Sequence, residues 1–148
     1  MTAKLHFYVA IALVSVQAIL PARQTIPDYK NAQLPLEPRL ADLLGRMTLE
    51  EKCAQLTSLW DTFAMPVGKR IKDDQGRFSP ERARQVFRHG LGQVSRPGEG
   101  KGPREEAEFT NTIQKFVIEN TRLGIPVMFH EEGLHGHVVP KGTHFPQA

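Results

Sequence analysis

The sequence predicts an α/β fold whose strands are parallel. Segments with helical spacing of apolar residues alternate with short apolar runs, which is the order expected of βα units. The run Ile125–Phe129 is apolar without alternation, which is typical of a strand buried on both faces of a parallel sheet. A polar segment follows this run, and ligands in α/β folds bind just beyond the carboxyl ends of strands.

Residues 1–22 are predicted to be a secretory signal peptide. Lys4 precedes an apolar run over residues 7–16, and small residues suit cleavage near positions 18–24. A membrane span needs about 20 apolar residues, so this run is too short for one. We therefore expect a secreted or periplasmic protein with no membrane attachment after cleavage.

Composition bounds what the remaining chain can be. About 125 residues follow the leader, enough for one small domain but short of the roughly 250 of a complete (β/α)8 barrel. The net charge is +3, and basic residues alternate with acidic ones. This indicates a solvated surface, and no nucleic-acid partner is expected. Cys53 is the only cysteine, so no internal disulfide can form, and its apolar helix position predicts a buried thiol.

An extended arm over residues 23–35 and two helices are predicted to lead the domain. Thr48 and Glu51 form a capping-box pattern, so the second helix begins at Leu49. The apolar stripe of the first helix is Leu40, Leu43, Leu44 and Met47, and that of the second is Leu49, Cys53, Leu56 and, as an extension, Trp60.

A turn and a short helix come next. Asp73–Gly76 is a turn signal that suits the tip of a hairpin. Ser79 is a candidate N-cap before Pro80, and the helix that starts there is expected to end near His89.

Two strands and a longer helix complete the pattern. Leu91–Ser95 is a candidate strand, and a loop rich in glycine and proline follows it over 96–102. The helix that begins at Pro103 should end near Thr121, with a buried stripe made of Phe109, Ile113, Phe116 and Val117.

The densest set of reactive side chains lies in residues 130–137, directly after the strand at Ile125–Phe129. One hypothesis is a small metalloprotein that uses His130, His135 and His137. The zinc motif His-Glu-x-x-His places its histidines four apart on a helix, whereas His130 and His135 are five apart. No metal or other cofactor is therefore expected. The carboxylates could instead accept hydrogen bonds from sugar hydroxyls, or simply be solvated.

Three stretches together resemble the amino-terminal region of glycoside hydrolase family 3. They are Arg39–Leu56, Asn111–Gly136 and Thr143–Ala148, and the resemblance covers residues 36–58 and 88–148. It implies that residues 36–148 are the first part of a (β/α)8 TIM-like barrel whose remainder is missing. In that barrel the run at 91–95 would be the first strand and the run at 125–129 the second.

The resemblance also implies a carbohydrate substrate, of the β-glucoside or β-xyloside type, and roles for particular residues. The pattern F-x-x-[D/E]-x-x-H-G makes Glu132 the residue that binds hydroxyls of the innermost sugar, with Glu131 as its neighbour. His135 and Gly136 are expected to shape the turn. Two weaker candidates for substrate contact are Arg96 and His144.

No catalytic residue is expected in these 148 residues. Family members retain anomeric configuration through two carboxyl groups about 5 Å apart, and the resemblance implies that both lie beyond Ala148. The leading hypothesis is therefore an amino-terminal fragment of a hydrolase that acts on O-glycosidic bonds of β-linked sugars, inactive by itself. The alternative is a non-catalytic sugar-binding or interaction module derived from the same barrel.

Overall fold

The computed structural model describes residues 26–62, 66–137 and 139–146. The predicted signal peptide and the start of the predicted arm lie outside these residues. The described chain falls into two compact units, with the boundary between Leu43 and Leu44. In the part of the chain that is described, no helix has the length and apolar character needed to cross a membrane.

The first unit contains a 3-10 turn at Asp28–Lys30 and most of helix α1, Leu36–Arg46. The Asp42 carboxylate accepts the Tyr29 backbone N–H at 3.1 Å, and the Arg39 guanidinium donates to the Tyr29 carbonyl. These bonds hold the turn to the helix. None of the residues of α1 is buried, so the predicted apolar stripe on this helix is not a core face of the described chain.

Helix α2 spans Leu49–Gln55 and lies in the second unit. The predicted capping box is confirmed: Thr48 Oγ1 accepts the Glu51 N–H at 3.2 Å, and Glu51 Oε2 accepts the Thr48 N–H at 2.9 Å. The stripe predicted to continue through Leu56 to Trp60 was wrong, because the helix ends at Gln55. Cys53 is exposed, so the prediction of a buried thiol was wrong. The side chain that this seven-residue helix buries is that of Glu51.

The sheet has three parallel strands in the order β1–β2–β3. Strand β1 was not predicted, so the runs at 91–95 and 125–129 supply the second and third strands of the described sheet, not the first and second. The second and third strands are also shorter than predicted. The bounds of the three strands are Ser58–Trp60 for β1, Gln93–Ser95 for β2 and Met128–His130 for β3.

The two faces of the sheet differ. Leu59, Val94 and Phe129 are partners in the register and point into the hydrophobic core. On the other face, Trp60 and Met128 are exposed. The prediction that the last strand is buried on both faces was therefore wrong for the described residues, which cover one face only.

The helices that follow β1 and β2 were predicted well. Helix α3, Pro80–Val86, starts where expected, with Ser79 Oγ accepting the Arg82 N–H at 3.4 Å, and ends three residues before His89. The hairpin tip is also confirmed, since Lys72 and Phe78 pair antiparallel across it. Helix α4, Pro103–Asn120, buries the predicted stripe of Phe109, Ile113, Phe116 and Val117.

Gly92 lies where the end of α2 meets the sheet. Its N–H donates to the Ala54 carbonyl at 3.0 Å, and its own carbonyl accepts the Met128 N–H at 2.9 Å. A Cβ added at Gly92 would overlap the backbone carbonyl of Gln55. Only glycine allows this approach, so position 92 sets how the end of α2 meets the start of β2.

Candidate functional site

The carboxyl ends of the three strands lie side by side. Trp60, Ser95 and His130 are the last residues of β1, β2 and β3 and are aligned by the parallel register. The chain leaves the strands at Asp61, Arg96 and Glu131. This edge of the sheet is where α/β folds bind ligands, and it gathers most of the predicted site residues.

The two neighbouring carboxylates after β3 have different surroundings. Glu131 is half-buried, and its Oε1 accepts the Gly98 N–H at 2.9 Å. Glu132 is exposed and forms no hydrogen bond or ion pair with the described residues. Glu131 thus links the loop after β2 to the loop after β3, whereas Glu132 has no such partner among the described residues.

The histidines of the same segment are held by separate partners. Nε2 of His130 lies 3.3 Å from Ser58 Oγ, across β2, and Nε2 of His137 lies 2.9 Å from Glu106 Oε2 on α4. Among the described residues, no group of three His, Cys, Asp or Glu side chains is placed to hold a metal ion.

His144 lies beside the segment that contains Glu132, because it pairs with Gly136. Gly136 has a φ of +103° and pairs antiparallel with His144, while the His137 N–H donates to the Thr143 carbonyl at 3.0 Å. A side chain at position 136 would meet the backbone of Thr143. His144 itself is exposed, and the His135 carbonyl accepts the Phe145 N–H at 2.6 Å.

Arg96 lies at the end of β2 in a left-handed conformation, with a φ of +52°. Its N–H donates to the His130 carbonyl at 2.8 Å, and its guanidinium lies 5.1 Å from the centroid of the Trp60 ring. The Trp60 indole N–H donates to Glu99 Oε2 at 3.0 Å. Arg96 was predicted as a candidate from the sequence, whereas Trp60, predicted to extend a helix, and Glu99 were not.

A buried ion pair beneath this edge was also missed. Asp61 Oδ1 accepts the Ile71 N–H at 3.2 Å, while Lys72 Nζ donates to the Asp61 carbonyl at 3.0 Å and lies 3.9 Å from Oδ2. Burial raises the pKa of the Asp61 carboxyl, against the opposing effect of Lys72. Burial likewise lowers the pKa of Lys72, against the effect of Asp61. The pair fixes the 70–72 segment to the end of β1.

Comparison with known proteins assigns this arrangement to a family. Residues 48–148 match the family model described as "Glycosyl hydrolase family 3 N terminal domain". The matched residues include all three strands and the motif around Glu132.

Curated relatives are similar over most of the chain. A protein of Formosa agariphila named "Putative beta-xylosidase" is 35% identical over 118 residues, which is 80% of this chain and 15% of the relative. "Beta-glucosidase C" of Emericella nidulans is 32% identical over 135 residues, 91% of this chain and 21% of the relative. "Probable beta-glucosidase C" of Aspergillus oryzae is 35% identical over 126 residues, 80% of this chain and 18% of the relative. The chain therefore spans about a fifth or less of the length of these relatives.

Proposed function

The chain belongs to glycosyl hydrolase family 3, and we propose that it is the opening part of a hydrolase that cleaves O-glycosidic bonds of β-linked sugars. The relatives named as a beta-xylosidase and beta-glucosidases support β-xylosides and β-glucosides as the substrate class. The short share of each relative that the chain covers supports a longer functional polypeptide.

The observation that carries the proposal is the contrast between Glu131 and Glu132 at the carboxyl end of β3. The Glu131 carboxylate accepts the Gly98 N–H, whereas Glu132 is exposed and has no hydrogen-bond partner among the described residues. A carboxylate accepts hydrogen bonds at each oxygen, so it can hold two neighbouring hydroxyls of one sugar ring. Glu132 is thus proposed to bind the sugar in the innermost subsite.

The open sheet supports the proposal that these strands begin a (β/α)8 barrel. One face of the sheet is covered by the core, and β1 and β3 each have a free edge among the described residues. Further strands on both edges would close the sheet and turn the face that carries Trp60 and His130 inward. The loop with Glu132 would then lie at the barrel mouth.

The proposed reaction retains anomeric configuration. One carboxylate attacks the anomeric carbon while a second carboxylic acid protonates the leaving oxygen, and the same group later activates the water that releases the sugar. Glu132 is proposed as a binding group only, and both reacting carboxyl groups are assigned to the polypeptide beyond Ala148. Export from the cytoplasm, through the leader at residues 1–22, is part of the proposal.

Hydrolysis of nitrophenyl β-glucoside and β-xyloside tests this function. We expect a longer polypeptide encoded by the same open reading frame to hydrolyse these substrates, and the 148-residue chain to leave them intact. Turnover by the short chain would overturn the assignment of the reacting carboxyl groups to the polypeptide beyond Ala148. Failure of the longer polypeptide to release nitrophenol, with sugar binding retained, would favour the non-catalytic sugar-binding module.

A further inference from the structure

The segment that carries Glu132 is exposed between its two ends. Glu132, Gly133 and Leu134 are all exposed, so burial does not fix the carboxylate that is proposed to bind the sugar. A binding group that is held in place before the ligand arrives gives higher affinity, because less conformational freedom is lost on binding. The contacts at the two ends of the segment, at Glu131 and His137, therefore bear on how Glu132 binds.

At its start the segment is tied to the loop after β2 by Glu131. Gly98 in that loop is buried, and its N–H donates to Glu131 Oε1 at 2.9 Å. A second carboxylate lies against the same glycine. A Cβ added at Gly98 would lie within 2.7 Å of all three atoms of the Glu106 carboxyl group. Glu106, on α4, thus occupies the space that a side chain at position 98 would need.

At its end the segment is tied to α4 by His137. Nε2 of His137 lies 2.9 Å from Oε2 of Glu106, whose side chain is 18% exposed. An ionised carboxylate only accepts hydrogen bonds, so the imidazole N–H donates here. Both ends of the segment therefore meet beside Gly98, the start through the glycine N–H and the end through the carboxylate that packs on that glycine.

Helix α4 is a firm anchor for these contacts. Glu106 lies one helical turn before Phe109, which is buried in the hydrophobic core. The pairing of Gly136 with His144 shapes the turn itself, whereas the bond from His137 joins that turn to the helix. The exposed segment is therefore held by the core of the domain, through α4, and not by its own turn alone.

We propose that Glu106 and His137 are positioning residues for sugar binding, and that they act through Glu132. With Gly98 and Glu131 they form a clamp that holds this segment against the loop after β2. The inference rests on the proposed function, in which Glu132 binds the sugar in the innermost subsite. Without the clamp the carboxylate is still present, but part of its contribution to binding is lost in ordering the segment when the sugar binds.

Kinetics of the longer polypeptide that is proposed to be the hydrolase test the clamp, with a nitrophenyl β-glucoside as the substrate. Glu106→Ala should lower kcat/KM about fivefold, part of the loss of at least about tenfold expected for Glu132→Gln. The change should lie in KM rather than kcat, since a hydrogen bond made equally to substrate and transition state contributes uniform binding. Glu106→Gln should recover most of the loss, because its amide oxygen still accepts the His137 N–H. Glu108→Ala, which removes an exposed carboxylate from the same helix, is the matched control and should leave both constants unchanged.

The decisive comparison repeats Glu106→Ala in a Glu132→Gln background. The additional loss in kcat/KM should be less than about twofold, because the clamp acts only through the Glu132 carboxylate. An unchanged KM in Glu106→Ala, or equal losses in the two backgrounds, would overturn the clamp and make the bond between Glu106 and His137 a contribution to folding alone. Absence of turnover by the native sequence would instead refute the proposed function.

Discussion

Glu51 and Arg122 are joined by two hydrogen-bonded contacts between the first turn of α2 and the segment that leads into β3. Arg122 Nε donates to Glu51 Oε1 at 2.8 Å, and its Nη2 donates to Glu51 Oε2 and to the Arg46 carbonyl. The same carboxylate closes the capping box with Thr48. The buried Glu51 side chain and Arg122 thus link three segments that precede strands, at the edge of the sheet opposite the candidate site.

Arg122→Ala should destabilise the chain by about 1.5 kcal/mol, the low end for hydrogen bonds to a charged group. The low end applies because Arg122 is half-exposed and partly screened by solvent. Urea unfolding measures the change. Lys115→Ala, which breaks the exposed Lys115–Glu119 pair, is the matched control and should cost less than about 0.5 kcal/mol. Equal losses would mean that the Glu51 contact is only a surface pair.

The same contact predicts how stability varies with pH. The hydrogen bonds from Arg122 lower the pKa of the Glu51 carboxyl below its usual value. The stabilisation is therefore complete above that value and is lost as the pH falls through the lower pKa of the folded state. Unfolding free energy should decline more steeply on acidification in the native sequence than in Arg122→Ala. Parallel pH profiles would contradict this origin of the stability.

Gly92→Ala should destabilise the chain by at least about 2 kcal/mol, because the added methyl group forces the backbone of Gln55 away. Gly45→Ala is the control, since a Cβ at this helical position meets open space. Alanine is the better helix former by about 0.5–1 kcal/mol. The two variants should therefore shift the urea midpoint in opposite directions. A tolerated Gly92→Ala would show that α2 does not pack on the sheet as described.

Asp61→Ala should cost about 3 kcal/mol, because it leaves the Lys72 ammonium in a buried position without its counter-charge. The double variant Asp61→Ala with Lys72→Met removes both charges and should recover more than half of the loss. The urea midpoints of the single and double variants check this. A loss below about 1 kcal/mol in the single variant, the value of an exposed pair, would refute the burial of the pair.

Local patterns predicted the helices because their signals are local. The Thr48–Glu51 capping box and the stripe ending at Val117 each depend on residues a few positions apart, and both formed as predicted. Strand β1 was missed because its three residues bury only Leu59, which gives neither an apolar run nor an alternation to recognise. Such a strand is identified only by its partner, β2.

Only part of the candidate site could be predicted from the sequence, because local patterns do not specify contacts between residues that are far apart in the chain. Glu131 and Glu132 are distinguished by Gly98, which is 33 positions away, so no local pattern separates their roles. The position of Trp60 beside Glu99 likewise depends on how β1 and β2 align, across 39 positions. The motif located the edge of the sheet where the site lies, while the partners there are set by the fold.

The most direct measurement compares Glu132→Gln with Glu131→Gln in the longer polypeptide that is proposed to be the hydrolase, using kcat/KM for a β-glucoside and a β-xyloside. Glu132→Gln should lower kcat/KM at least about tenfold, because hydrogen bonds to a charged carboxylate are worth about 1.5–3 kcal/mol each. Glu131→Gln should have a smaller effect, since a glutamine oxygen can still accept the Gly98 N–H. Equal losses, or a larger loss for Glu131→Gln, would contradict the assignment of sugar binding to Glu132.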